Sequence, residues 1–175
     1  MQWKVISERP LYQDEWLDIR IADIELPDGR HLAHRSIHTP AGAGVVAVGN
    51  DGRVLLIWRH RYITGTWGWE IPIGKIEHGE APPEAAAREF EEETGWRPGP
   101  LRPLLTVLPT PGLSTSAHHI YRADSAIHVG KPADGFESER VAWVPLGDLR
   151  SLIAKGDITS GTTLAAVLYV LPDSS

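Results

Sequence analysis

Three glutamates that share one side of a helix are the strongest chemical feature of this sequence. Glu89 and Glu93 are four residues apart, and Glu92 lies between them in angle, because each residue of a helix turns by about 100 degrees. Glu91 points to the opposite side. An acidic run is commonly a solvated helix face. Like charges side by side destabilise a helix, however, and hard divalent ions prefer carboxylate oxygens, so a bound cation is the alternative.

The glycines that precede this helix favour the cation. Gly74 and Gly79 allow the backbone to approach a ligand closely and to adopt unusual dihedral angles. A carbonyl oxygen from this loop could therefore complete the coordination of an ion held by the glutamates.

The whole segment from Gly74 to Trp96 follows one spacing rule, G-x5-E-x7-R-E-U-x-E-E-x-G-U, in which U is a bulky apolar residue. The matching positions are Gly74, Glu80, Arg88, Glu89, Phe90, Glu92, Glu93, Gly95 and Trp96. This pattern resembles the Nudix box at every required position, and on it the chain is identified as a member of the Nudix family.

The resemblance implies an α+β fold, a Nudix α/β/α sandwich with a mixed central sheet, and hydrolysis of a nucleoside diphosphate linked to another group. It implies Mg²⁺ or Mn²⁺ as the cofactor. Glu89 and Glu93 correspond to the principal metal ligands, Glu92 to a further or water-mediated ligand, and the backbone carbonyl of Ile73 to another. The residues with structural roles in the motif are Gly74, Glu80, Arg88 and Gly95, with Arg88 pairing to box carboxylates such as Glu80 or Glu92.

Features outside the box resemble the ADP-ribose pyrophosphatase branch, which cleaves nucleoside diphosphate sugars. They are the Leu26–Gly29 turn, the stretch 54–80, Pro111 at sixteen residues after Gly95, and the block 143–146. By this likeness the products are a nucleoside monophosphate and a sugar phosphate, Arg61 binds a substrate phosphate, and Glu70 lies near the metals and the substrate. The likeness also implies a homodimer joined through the N-terminal sheet.

The general base is less narrowly defined. In this branch a glutamate on the loop before the Trp143 strand approaches the attacking water, and that loop here contains Glu137 and Glu139. The spacing from Trp143 favours Glu137 over Glu139, and a box glutamate such as Glu92 is the third candidate. A carboxylate is suitable if a metal already lowers the pKa of the water.

One position departs from the branch. Its members usually carry Pro-Gly-Phe-x-x-Glu after the box, whereas this chain has Pro111 and Gly112 followed by Ser116 at the glutamate position. The substitution puts ADP-ribose itself in doubt but leaves diphosphate hydrolysis intact. Gly112, Ser116 and His118 are candidate substrate contacts. His118 and His119 point to opposite faces of a strand, so at most one of them enters the site.

Two other functions fit the same motif. The first is hydrolysis of a nucleoside triphosphate or a dinucleotide polyphosphate, which the serine at position 116 supports. The second is a nucleotide-sugar sensor without catalysis, which the complete set of box carboxylates argues against.

The flanking elements must place these residues. Residues 2–38 are predicted to be extended, with period-two alternation around Ile19 and a turn at Pro27–Arg30. We expect residues 1–40 to form a small antiparallel sheet that dimerises and residues 41–175 to form the catalytic domain. Further predicted strands cover 45–48, 53–59, 101–108, 119–123 and 140–144, with a turn at 65–68 and helices over 80–94, 146–155 and 162–171.

Composition excludes several classes of function. The net charge of −6 lacks the positive field that drives non-specific nucleic-acid binding, so we expect no nucleic-acid partner. The absence of cysteine excludes disulfides, thiolate nucleophiles and cysteine-ligated metals. No apolar run approaches a membrane span and the first ten residues do not form a signal peptide, so we expect a cytoplasmic protein with no membrane partner.

Overall fold

The structure is a computed structural model that describes residues 2–133 and 138–172. The strands are β1 (Lys4–Gln13), β2 (Asp18–Glu25), β3 (His31–His38), β4 (Gly42–Ala47), β5 (Arg53–Arg61), β6 (Thr66–Glu70), β7 (Ile73–Lys75), β8 (Trp96–Pro98), β9 (Arg102–Val107), β10 (His118–Ala123), β11 (Ala126–His128) and β12 (Arg140–Pro145). The helices are α1 (Pro82–Thr94), α2 (Leu149–Lys155) and α3 (Gly161–Val170), and a 3₁₀ turn spans Leu146–Asp148.

The chain divides into two compact units. The first holds the residues up to Ala41 together with Leu108–Ala117, and the second holds Gly42–Val107 together with the chain from His118 onward. Residues 108–117 therefore lie in sequence between two segments of the second unit but fold with the first.

The first unit is built on the antiparallel sheet β1-β2-β3. Its central strand β2 buries Ala22 and Ile24, two residues apart, as the period-two pattern predicts. β3 also holds residues 108–117, because the Ile37 N–H donates to the Leu113 carbonyl at 2.8 Å and the Ile37 carbonyl accepts from the Thr115 N–H at 3.0 Å. The predicted small N-terminal antiparallel sheet is confirmed.

The second unit contains two larger sheets. The mixed sheet has the order β7-β4-β10-β9, in which β4 and β10 are parallel and the other pairs are antiparallel. The second sheet, β12-β5-β6, is antiparallel throughout. A short pair, β11-β8, completes the unit.

Alternate residues of the central strands enter two hydrophobic clusters. Val46 and Leu56 pack in one cluster, which also receives residues of α2 and α3. Val45 and Leu55 pack in the other, where Phe90 of α1 is fully buried. The sheets are therefore covered by helices on both sides, which confirms the predicted α+β sandwich with a mixed sheet.

The helix α1 begins two residues later than the sequence predicts. Pro82 takes the first helical position, where the missing N–H has no partner to lose, so the helix starts there rather than at Glu80. Gly95 ends the helix in the left-handed conformation with φ of 73°.

The predicted turn at 65–68 is wrong, because β6 already begins at Thr66 and contains Gly68. The turn itself lies at 62–65 and ends on Gly65 with φ of 65°. Gly68 serves close packing, since a Cβ there would stand 3.3 Å from the carbonyl oxygen of Asp157. A glycine that reads as a turn signal thus marks a crowded strand position.

Candidate active site

Arg88 binds three of the acidic side chains around α1. Its Nε donates to Glu80 at 2.9 Å, and its Nη1 donates to Glu89 at 2.8 Å and to Glu92 at 2.9 Å. Its Nη2 donates to the carbonyl oxygen of Lys75 at 3.0 Å. One guanidinium thus relieves the repulsion among carboxylates that share a helix face and ties them to β7.

The contact between Arg88 and Glu80 shifts the pKa values of both groups. The hydrogen bond from Arg88 holds the pKa of the Glu80 carboxyl below its usual range, and the Glu77 N–H adds to this effect. The pKa of Arg88 is raised, first by Glu80, against the opposing effect of burial. Both groups therefore stay charged in the folded protein at neutral pH.

Glu89 lies against the backbone of Gly74. Its carboxylate occupies the space in which a side chain at position 74 would stand. The same carboxylate pairs with Arg88 at 2.8 Å. The small size of Gly74, rather than an unusual dihedral angle, is what this close approach requires.

Glu93 is buried and forms an ion pair with Arg59. Its Oε1 accepts from Nη2 of Arg59 at 2.5 Å, and its Oε2 accepts from the Ile73 N–H at 3.0 Å. The two side chains, of Arg59 and Glu93, are only 4% and 2% exposed. Arg59 is absent from the residues predicted by sequence, although a cation directly after the apolar run 54–58 was a signal that could have found it.

Arg61 and Glu70 form a second pair on neighbouring strands. Nε and Nη2 of Arg61 donate to the two oxygens of Glu70 at 3.1 and 2.5 Å, and Glu70 is buried. They line a cavity of about 630 Å³ together with His60, Tyr62 and Ser160. Two sequence-predicted substrate contacts therefore share one cavity in the second unit.

His118 lies beside Gly42 of β4. Its Nδ1 is 2.8 Å from the hydroxyl of the buried Thr162, and its Cδ2 would stand 3.2 Å from a Cβ at Gly42. Burial lowers the pKa of His118, and the neighbouring His119 lowers it further. His119 lies 3.4 Å from the Thr106 hydroxyl instead.

Two predicted contacts belong to the first unit. The carbonyl oxygen of Gly112 lies 3.1 Å from Nε2 of His34, and the Ser116 N–H donates to the hydroxyl of Ser114 at 3.0 Å. Both residues lie in the segment that folds with β3.

Two of the candidate general bases, Glu137 and Glu139, lie on the loop before β12, and the structure describes only part of this loop. Glu137 falls outside the described residues. Glu139 is exposed, and its N–H donates to the carbonyl oxygen of Trp58 at 2.9 Å. The chain on either side of residues 134–137 contacts α1, because the Ala133 N–H donates to the Glu92 carbonyl at 2.9 Å and the Ser138 hydroxyl lies 3.5 Å from the Glu93 carbonyl.

The donor set of α1 suits a hard divalent cation, since Glu89, Glu92 and Glu93 offer carboxylate oxygens and Gly74 leaves room for one of them. Within residues 2–133 and 138–172, no three acidic or histidine side chains converge as they would around an ion. The carboxylates are instead shared between Arg88 and Arg59. An ion that binds here must therefore share these side chains with two arginines.

Comparison with known proteins decides the family. The NUDIX domain model matches residues 38–167, which is most of the chain. The chain belongs to the NUDIX family. Residues 3–37 match the nucleoside diphosphate sugar hydrolase N-terminal domain. The family predicted from the Nudix box is thus confirmed, and with it the assignment as a Nudix hydrolase, a class that generally requires a divalent metal.

Several relatives match nearly the whole NUDIX chain. The CMP-5'-(N-acetyl-N-hydroxy-3-aminopropyl)phosphonate hydrolase of Streptomyces rubellomurinus is 40% identical over 94% of this chain and 80% of its own length. The ADP-ribose pyrophosphatase of Bacillus subtilis is 27% identical over 97% of this chain and 93% of its own. A solved structure of an ADP compounds hydrolase superposes with a TM-score of 0.84 at 20% identity, covering 97% of this chain and 92% of that one, and supports the fold.

No helix among the described residues of this NUDIX protein has both the length and the apolar character that a membrane crossing requires.

Proposed function

We propose that this protein hydrolyses the diphosphate of a nucleoside diphosphate sugar such as ADP-ribose, with Mg²⁺ or Mn²⁺, and releases a nucleoside monophosphate and a sugar phosphate. The observation that carries the proposal is the set of three α1 carboxylates that two arginines hold, with Glu89 placed against Gly74. The match of residues 3–37 to the N-terminal domain of nucleoside diphosphate sugar hydrolases supports the substrate class.

The reaction adds water to one phosphorus and breaks its bond to the bridging oxygen, which leaves with the second phosphate. A divalent ion held by Glu89, Glu92, Glu93 and the Ile73 carbonyl would offset the charge of the diphosphate and make water more acidic. Arg61 neutralises a further phosphate oxygen, and its partner Glu70 fixes the guanidinium from a buried position. These charges act together because a polyanion repels nucleophiles until its charge is offset.

Glu137 is our first candidate for the general base, with Glu139 and Glu92 as alternatives. The base accepts one proton from the attacking water and orients it toward phosphorus. The contacts of Ala133 and Ser138 with α1 support a base from this loop, because they bring both of its ends to the helix that carries the glutamates.

We also propose that the protein is a homodimer joined through residues 1–40 and that residues 41–175 form the catalytic domain. Every residue of β1 is exposed, including Val5, Leu11 and Tyr12. A second copy packed on this strand would cover apolar side chains that are otherwise in water. Light scattering after gel filtration tests this directly, and a monomeric mass would contradict it.

The test of the activity is a screen of purified protein over ADP-ribose, GDP-mannose, ADP-glucose, UDP-glucose and nucleoside triphosphates, with and without Mg²⁺ or Mn²⁺. We expect metal-dependent release of a nucleoside monophosphate from a nucleotide sugar. Glu93→Gln should lower the rate by at least about 10²-fold, because a ligand of the ion becomes neutral. Glu91→Gln is the matched control, since Glu91 pairs with Arg97 and is more exposed.

If none of the nucleotide sugars releases a monophosphate in a metal-dependent way, the proposal is contradicted. Faster cleavage of triphosphates would favour the polyphosphate alternative. Tight binding of a nucleotide sugar without turnover would favour a sensor.

A second candidate substrate is a nucleotide linked to a phosphonate. The relative from Streptomyces rubellomurinus carries such a substrate in its name and is 40% identical. A phosphonate keeps the oxygen-bridged pair of phosphorus atoms, so the same charges would serve. The ratio of rates on a CMP-linked phosphonate and on ADP-ribose separates the two. We expect Ser116→Glu to shift that ratio toward ADP-ribose, because it places a carboxylate where the ADP-ribose branch carries one.

A further inference from the structure

Glu93 and Arg59 form an ion pair that is almost completely removed from water. The Nη2 of Arg59 lies 2.5 Å from Glu93 Oε1, and the side chains of Arg59 and Glu93 are 4% and 2% exposed. Such a pair loses the hydration of both charges, so it is weak evidence for a purely stabilising role. The presence of Arg59 beside Glu93 therefore has to be explained by something other than stability.

The position of Arg59 follows from the strand that carries it. Arg59 and Arg61 are two residues apart on β5, so their side chains leave the same face of the sheet. Each reaches one of the buried acidic residues of the site, Arg59 to Glu93 and Arg61 to Glu70. Arg61 is half-exposed, whereas Arg59 is enclosed. Arg59 therefore faces a carboxylate of the site and not the solvent.

We propose that Arg59 is a positioning residue that neutralises Glu93 in the absence of metal and competes with the divalent ion for that carboxylate. The inference rests on the proposed function, in which Glu93 holds the ion. The Ile73 N–H, at 3.0 Å from Oε2, keeps Glu93 oriented when the ion replaces the guanidinium as its main counter-charge.

The competition has two consequences of opposite sign. A fixed positive charge beside the carboxylate repels a divalent ion, so removing it strengthens metal binding. The same removal takes away the counter-charge that Arg59 supplies to a buried carboxylate, so the metal-free protein loses stability. A residue with only a structural role would give the second effect without the first.

The experiment compares Arg59→Gln, Arg59→Lys and Arg97→Gln with the wild type at pH 8. Arg97→Gln is the matched control, because Arg97 pairs with Glu91 of the same helix at an exposed position. The dissociation constant of Mn²⁺ is measured from the electron paramagnetic resonance signal of the free ion, and the melting temperature Tm is measured in EDTA and in Mn²⁺.

We expect Arg59→Gln to bind Mn²⁺ about tenfold more tightly and to melt roughly 10 °C lower in EDTA, with most of the loss recovered in Mn²⁺. Arg59→Lys keeps the charge and should bind Mn²⁺ within about twofold of the wild type. Arg97→Gln should match the wild type in both measurements. Unchanged or weaker Mn²⁺ binding by a less stable Arg59→Gln overturns the inference.

A measurement on the wild type keeps the test decisive if Arg59→Gln does not fold. Guanidinium hydrogens of Arg59 should exchange slowly with water in EDTA and faster at saturating Mg²⁺, as seen by ¹⁵N nuclear magnetic resonance. Unaltered protection in Mg²⁺ overturns the competition while leaving the proposed metal site intact. Failure of the wild type to bind Mn²⁺ at all overturns the proposed function and this inference together.

Discussion

The carboxylate of Glu89 rests against the backbone of Gly74 with no room for a side chain between them. A methyl group at position 74 would occupy the place of that carboxylate, which is also paired with Arg88. Position 74 must therefore be glycine because Glu89, a candidate metal ligand, fills the space that any larger side chain would need.

Gly74→Ala should therefore displace Glu89 and lower the hydrolysis rate by at least about 10²-fold, the effect expected when a ligand leaves its place. Gly147→Ala is a suitable control, since a Cβ added at Gly147 would meet no other atom within 4 Å and its φ is not positive. Steady-state rates at saturating metal measure the effect. A Gly74→Ala enzyme with wild-type activity would show that Glu89 is not needed where it stands.

Arg61 should act mainly on substrate binding. It faces a cavity and is half-exposed, so Arg61→Gln removes the proposed phosphate contact. The variant also takes the guanidinium from the buried Glu70, so its melting temperature is measured alongside the kinetics. We expect KM to rise by about tenfold with a smaller change in kcat, as for a contact made in both ground and transition states. Arg53, at the start of the same strand, forms an exposed pair with Asp51 of the preceding turn, so Arg53→Gln should leave KM unaltered. An equal effect of both variants would indicate a general loss of positive charge.

The Glu80–Arg88 pair should make stability depend on pH in the acidic range. The pKa of Glu80 lies below its usual 4.5, chiefly because of Arg88, so the folded state binds this proton more weakly than the unfolded state. The contribution is fully present above pH 4.5 and is lost as the pH falls through the lower folded pKa.

Glu80→Gln should therefore lower the free energy of unfolding by about 1 kcal/mol at pH 7, and the difference from the wild type should shrink below pH 4.5. Urea titrations at several pH values provide the measurement, with Glu77→Gln as the exposed control. A difference that stays constant down to pH 3 would mean that the charge of Glu80 contributes nothing.

His118 should make the protein less stable as the pH falls, whereas a histidine paired with a carboxylate makes a protein more stable. Its pKa lies below 6.5 because of burial and then His119, so the unfolded chain binds the proton more readily. The contribution of His118 to the free energy of unfolding is therefore fully present above pH 6.5, and it is lost as the pH drops toward the folded pKa.

His118→Asn should flatten this fall, which for one proton is at most about 1.4 kcal/mol per pH unit. Thermal or urea unfolding between pH 5 and 7 measures the slope, and His78→Asn, an exposed histidine, should leave it in place. An unchanged slope in His118→Asn would assign the dependence to another group.

The sequence predicts what is local in the chain and misses what depends on distant pairing. The shared face of Glu89, Glu92 and Glu93 follows from helix geometry alone, and so does the period-two burial of Ala22 and Ile24 from strand geometry. The Arg59–Glu93 pair joins residues 34 positions apart and depends on how a strand faces α1.

Gly68 shows the same limit at the level of the backbone. Its neighbour is Asp157, far along the chain, so local propensity favoured a turn where tertiary packing requires a strand. Gly112 and Ser116 could be placed by motif, but their membership in a different compact unit is a property of the fold.

The hydrogen bonds of Ile37 with Leu113 and Thr115 join the beginning of the polypeptide to a stretch more than seventy residues downstream. A single crossover near residue 40 in a chimera between relatives would therefore give β3 from one parent and residues 108–117 from the other. Exchange of the amino-terminal sheet between enzymes of this kind requires two grafts, made together, so that each strand keeps the partner with which it evolved.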